Sequence, residues 1–207
     1  MLQCITFDIH KIGMFLRRKS VMSKLRPAII FDRDGVINEL VDRGEGFVVA
    51  GENIRYTAPW TVSELKIFPK VASVIQELKQ RGYLTVIATN QPDVAHGLIS
   101  SVAFEAMMEQ IMSLGFDAAY VCKHTPAHGC DCRKPAPGML LRAAQEWSID
   151  RTRSFMVGDM ETDILAGYSA GYYPILINRP YNGHIVPSKE NPFTRIHDLR
   201  ELSEMSS

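Results

Sequence analysis

No apolar run in this chain approaches the ~20 residues that cross a bilayer, so no membrane partner is expected. Net charge is also missing. Lysine plus arginine and aspartate plus glutamate number 23 each, which removes the basic stripe of a nucleic-acid binder and any hold on an anionic surface. Internal repeats and low-complexity tracts are absent. Cysteine is scarce, with four in 207 residues, and three of them fall in one short segment (Cys122, Cys130, Cys132). A disulfide scaffold would spread its cysteines through a smaller chain, so the cluster points to metal.

What remains is an ordinary globular balance, 46% hydrophobic and 22% charged. The length suits one domain that needs no disulfide or oligomeric support, expected as a monomer or weak homo-oligomer in the cytoplasm. Residues 1–25 mix apolar residues with the basic run Arg17-Arg18-Lys19 and read as a poorly ordered extension, with Met22 a candidate start. No small-residue cleavage site follows the apolar part, which weighs against a targeting peptide. Residues 26–207 are the expected domain.

Buried strands are expected at Ala28–Phe31, Leu84–Ala88, Ala118–Val121, Ser154–Val157 and Pro174–Ile177, each a short apolar run bounded by polar or turn residues. Between them lie helical patterns: one after Pro69 through Leu78, one capped by Ser100 or Ser101, one from Pro137 to Trp147, and one from Thr162 to Ala170 stopped by Gly171. A last short helix is expected near Asp198 to Met205. Strand and helix alternate, so the fold class is α/β, a Rossmann-like parallel sheet with helices on both faces. Residues 38–61, with three glycines and Pro59, read as a long loop or flap.

Ligands of such sheets sit at the carboxyl ends of the strands. Asp32, Asp34, Thr89, Asn90 and Asp159 all fall there. Two carboxylates two residues apart after a buried strand are costly unless neutralised, and Mg2+ does so with oxygen ligands and substrate phosphate. An aspartate carboxylate can itself attack phosphorus. Thr89-Asn90-Gln91 offers a hydroxyl and amides, Arg133-Lys134 offers two cations, and Asp159 and Asp163 offer two further carboxylates. Singly, each piece could be a solvated loop or a helix cap.

Together, Asp32-x-Asp34-Gly-Val, Thr89-Asn90-Gln91, Cys-Arg133-Lys134-Pro and Gly158-Asp159-x-x-x-Asp163 resemble the haloacid dehalogenase superfamily of phosphatases, over about residues 28–178. The resemblance implies a magnesium-dependent phosphomonoesterase acting on a small phosphorylated sugar. Asp32 would be the nucleophile and Asp34 the general acid and base. Thr89, Asn90, Gln91, Arg133 and Lys134 would hold phosphate. Mg2+ would lie between Asp32, the backbone carbonyl of Asp34 and Asp159, with Asp163 an outer or Lys134-pairing residue. The gaps from Asp34 to Thr89 and from Asn90 to Lys134 are too short for a full cap domain.

The segment from Cys122 to Cys132 supplies Cys122, His124, Cys130 and Cys132, three thiolates and an imidazole that suit a closed structural Zn2+ site, with His128 the spare. Ahead of Arg-Lys-Pro, this pattern resembles the heptose 1,7-bisphosphate and the histidinol-phosphate phosphatases. Asp34-Gly35-Val36-Ile37-Asn38 leans to the heptose group, and the short His124 to Cys130 spacer to the histidinol group. One departure stands out: Pro92-Asp93 replaces the usual small residues after Gln91, and His96 stands where arginine is common. Two rival readings remain, a catalytically silent phosphate-binding protein and a zinc hydrolase. Four protein ligands would leave the second no place for a zinc-bound water.

Overall fold

The computed structural model describes residues 5–8, 24–49 and 51–205. Its centre is a seven-stranded sheet. Along the chain these strands are β1 (Ile5–Asp8), β2 (Ala28–Phe31), β7 (Leu84–Asn90), β8 (Ala118–Cys122), β9 (Phe155–Gly158), β10 (Tyr173–Ile177) and β11 (Thr194–Ile196). Their spatial order is β1-β8-β7-β2-β9-β10-β11; six run parallel, and β1 is antiparallel on the β8 edge. The five expected strands are there, with ends shifted by a residue or two.

The sheet therefore gains a strand at each edge. Ile5–Asp8, within the stretch read as a poorly ordered extension, pairs with β8, while residues 9–23 lie outside those described. β11 has three residues, of which only Ile196 is buried, too little for an apolar run to show.

Alternation along β2 explains the two faces. Ile29 and Phe31 pack with α1 (Val71–Gln80), α3 (Ser101–Met112) and the C-terminal turn at Leu199 and Leu202. Ala28 and Ile30 pack against α4 (Gly138–Trp147) and α5 (Glu161–Ala170). Each wholly buried Ile or Phe contributes about 1.5–3 kcal/mol. The helix signals act as expected: Ser100 Oγ accepts from the Ala103 N–H at 3.1 Å, and Gly171 ends α5 at a φ of 80°. A short α2 (Pro92–Ala95) follows β7, and Leu202–Met205 forms α6.

Chain order places the site. From β2 the chain moves outward through β7 and β8, then crosses to β9 on the other side of β2. That reversal opens a crevice between the carboxyl ends of β2 and β9, where Asp32 and Asp159 emerge. The flap holds two small hairpins, β3 (Val41–Asp42) with β6 (Tyr56–Thr57) and β4 (Val48–Val49) with β5 (Glu52–Asn53). No described helix is long and apolar enough to cross a membrane.

Candidate active site

Asp32 follows β2 directly. Its Oδ1 accepts from the Arg33 backbone N–H at 2.7 Å and pairs with Lys134 Nζ at 2.9 Å, which fixes the carboxylate's rotation. Burial raises the Asp32 pKa to about 6; Lys134 opposes that, and the charges of Asp163 and Asp34 add to it. Lys134 is 2% exposed. Its ammonium also donates to the Ala88 carbonyl at 2.8 Å and pairs with Asp163 at 2.6 Å. Burial alone would lower its pKa, but the Asp163 and Asp32 carboxylates outweigh that and hold it protonated.

Asp163 has both oxygens engaged: Oδ1 on Lys134, Oδ2 on the backbone N–H groups of Asp159 and Met160 at 3.2 and 3.0 Å. It anchors the lysine and the Asp159 loop. A Cβ on Gly158 would lie 2.1 Å from the Asp163 Cβ, so only glycine fits there.

Asp34 is held by three side chains. Buried Arg33 reaches it with Nε and Nη2 at 2.9–3.1 Å, Asn38 Nδ2 donates at 2.9 Å, and Gln91 Nε2 donates at 2.6 Å. Gln91, expected on phosphate, bonds Asp34 in the structure, and its Nε2 lies 3.0 Å from the Thr89 hydroxyl. The Gln91 Oε1 is buried with no hydrogen-bond partner. Turning the amide over would let it accept from a protonated Asp34, so Gln91 can serve both protonation states. Gln91→Ala should lower kcat about tenfold for alkyl phosphates. Esters with good leaving groups should lose less, and equal losses across a leaving-group series would refute the link to Asp34.

Asn90 exchanges two bonds with the Lys134 backbone, accepting from its N–H and donating to its carbonyl, each at 3.0 Å. Asn90, expected on phosphate, thus seats the Lys134 backbone. Arg133 lines the cleft, with Nη1 3.4 Å from the His124 carbonyl.

Three residues in the segment after β10, whose Pro, Gly and Asn content signals only a loop, complete the site. The Tyr181 hydroxyl donates to Asp159 Oδ2 at 2.5 Å, Asn182 Nδ2 donates to the Asp159 carbonyl at 2.8 Å, and Arg179 Nε donates to the Gly35 carbonyl at 2.6 Å. Burial and the Asp159 charge keep the tyrosine protonated. Gly35 sits at a φ of 78°, and a Cβ there would come within 2.1 Å of Asp159 Oδ2.

Oxygens of Asp32, Asp159 and Asp163 lie within 4.8 Å of one another. Asp159 Oδ1 is buried without a partner, and burial with the charges of Asp163 and Asp32 pushes its pKa well up. An unpartnered carboxylate oxygen in an electron-rich corner fits a hard divalent cation. The sulfur site fits equally well. Cys130 Sγ is 3.7 Å from Cys122 Sγ and 3.5 Å from Cys132 Sγ, and His124 Nδ1 is 3.5 and 3.2 Å from Cys122 and Cys132. A tetrahedron with Zn–S bonds of about 2.3 Å has S···S edges near 3.8 Å, whereas a disulfide needs about 2.05 Å. The His128 ring lies tilted beside His124, with centroids 5.2 Å apart, outside the four-ligand group.

This arrangement of four strand-end loops has counterparts among known proteins. A family model described as haloacid dehalogenase-like hydrolase matches residues 38–171. The chain belongs to the haloacid dehalogenase-like hydrolases. Among curated relatives, the D-glycero-beta-D-manno-heptose-1,7-bisphosphate 7-phosphatase of Helicobacter pylori strain J99 is 37% identical, over 69% of this chain and 78% of that one. The enzyme of the same name from Escherichia coli K12 is 34% identical over 82% and 87%. A crystal structure of D,D-heptose 1,7-bisphosphate phosphatase from B. bronchiseptica, complexed with magnesium and phosphate, superposes with a TM-score of 0.70 at 29% identity. It covers 86% of this chain and 97% of its own.

Proposed function

We propose that this chain is a magnesium-dependent phosphomonoesterase that removes the 7-phosphate of D-glycero-β-D-manno-heptose 1,7-bisphosphate. The observation that carries the chemistry is the Asp32 carboxylate, fixed by Lys134 and the Arg33 N–H at the crevice between β2 and β9. The substrate is taken from the curated relatives that share most of this chain.

Asp32 attacks phosphorus in line, forming an aspartyl-phosphate and breaking the bond to the sugar oxygen. Asp34 gives its proton to that leaving oxygen, with Gln91 able to bond the acid form. The ionised Asp34 then takes a proton from the water that attacks the intermediate, which returns Asp32 and frees phosphate. The Lys134 ammonium and the Thr89 hydroxyl hold the phosphoryl oxygens as negative charge spreads over them. Mg2+, held by Asp32, Asp159 and the Asp34 carbonyl, would cancel the repulsion between carboxylate and phosphate. Asp163 keeps Lys134 charged, Tyr181 and Asn182 hold Asp159, and Arg133 is a cation available to a second phosphate. The Zn2+ site would seat Arg133 and Lys134 without touching substrate.

Phosphate release from both anomers of the heptose bisphosphate, compared with histidinol phosphate, tests the substrate. The β anomer should lead in kcat/KM by at least about a hundredfold, a difference near 2.8 kcal/mol in transition-state binding. Equal, feeble rates on every sugar phosphate would overturn the substrate assignment and leave the chemistry standing.

A further inference from the structure

The cleft over Asp32 holds about 310 Å3, the lower end of the ~300–1,000 Å3 range of small-molecule sites. Its floor is polar and its far wall is not. Leu40, Val49, Ile54 and Tyr56, all from the flap, form that wall. The substrate space therefore depends on where the flap stands.

The flap is knitted together around one arginine. Arg43, directly after β3, donates from Nε to the Thr57 hydroxyl at 2.9 Å and forks both oxygens of Glu64 at 2.6 and 2.9 Å. Its guanidinium lies 3.9 Å from the centre of the Trp60 ring, and Phe47 meets that ring at 5.7 Å. Glu64 also accepts from the Trp60 N–H at 2.8 Å. The assembled flap then reaches the body of the domain through the Trp60 indole, whose Nε1 donates to Asp93 Oδ2 at 2.8 Å, and through the Tyr56 ring, centred 5.2 Å from that of Tyr181. Asp93 lies in α2, two residues beyond Gln91, and itself lines the cleft. This is the position where the chain carries Pro-Asp in place of the family's small residues, so the departure from pattern and the flap contact coincide.

We propose that Trp60 and Asp93 form a clasp that fixes the flap over the site and thereby determines its substrate range. The clasp confines the cleft to small phosphomonoesters whose leaving group fills the space under Leu40, Val49, Ile54 and Tyr56. The proposal rests on the phosphatase reading above. It concerns the wall around the leaving group and leaves the reacting atoms unchanged. An indole N–H donating to a carboxylate is a charge-assisted bond, of the stronger class. When it is lost, the closed flap is a smaller fraction of the population, and apparent substrate affinity falls by that fraction.

Trp60→Phe keeps an aromatic ring against Arg43 and Phe47 and removes the donor. For the heptose bisphosphate its KM should rise about tenfold with kcat within about threefold, whereas acetyl phosphate, too small to reach the wall, should keep its kcat/KM. Asp93→Asn retains an acceptor oxygen without the charge and should fall between wild type and Asp93→Ala; Asp93→Ala should match Trp60→Phe. The chain has two tryptophans, so in a Trp147→Phe background the emission reports Trp60 alone. There Asp93→Ala should shift the emission to the red and at least double acrylamide quenching. Equal losses on both substrates, no loss on either, or unchanged emission and quenching would each overturn the clasp. Failure of the wild type to hydrolyse even acetyl phosphate would instead refute the phosphatase reading, and the emission test would still judge the clasp.

Discussion

Asp32→Asn abolishes turnover, by about 10^4-fold or more, while the protein stays folded. Loss of a nucleophile of this kind typically costs that much, because the remaining groups can bind phosphate but cannot form the covalent bond. The substitution is nearly isosteric. An amide oxygen can still accept from the Arg33 N–H and from Lys134, which now hold Oδ1 at 2.7 and 2.9 Å. It also removes one of three carboxylates crowded within 4.8 Å. Burial already raises the Asp32 pKa to about 6, so its charge is disfavoured in the metal-free fold. The metal-free variant should therefore melt at the same temperature as wild type or higher. Turnover near the wild-type rate would show that another group attacks phosphorus.

Stripping Zn2+ has the second large effect. Cys132 is the last of the four clustered ligands and immediately precedes Arg133 and Lys134. The loop is further tied down where the Gly138 N–H donates to the Asp131 carbonyl at 2.9 Å, at the start of α4. Without a cation, burial raises the Cys122 thiol pKa, and buried thiolates held this close would repel one another. A closed zinc site adds folding energy directly. Removing it, by chelation or by Cys132→Ser, should cost about 3–5 kcal/mol and lower Tm by roughly 10–15 °C. kcat should fall as Lys134 loses its seat. Metal analysis beside calorimetry checks this: zinc-free protein with an unchanged Tm and full rate would refute a structural role. Mg2+ alone should restore rate only to protein that has kept its zinc.

Most of the candidate site was legible because its residues lie where buried strands end. Ala28–Phe31 and Leu84–Ala88 are apolar runs, and the polar residues that follow them can face only the sheet edge. The metal cluster was legible from residue type and spacing. What the sequence concealed is which partner a side chain chooses. Asn90 and Gln91 bond the Lys134 backbone and Asp34, choices set by loops that meet only after folding. Tyr181 and Asn182 sit in a Pro- and Asn-bearing turn with no motif, yet the return of β10 beside β9 brings them onto Asp159. Trp60 and Arg43 gave no signal either, since a flap of two-residue strands has no periodicity to read.

The most direct test is to quench the enzyme during turnover, reduce it with borohydride and weigh its peptides. Reduction of an aspartyl-phosphate leaves homoserine, and that change should fall on position 32 alone. Homoserine at any other aspartate, or none in an enzyme that is turning over, would contradict a phosphoryl transfer through Asp32.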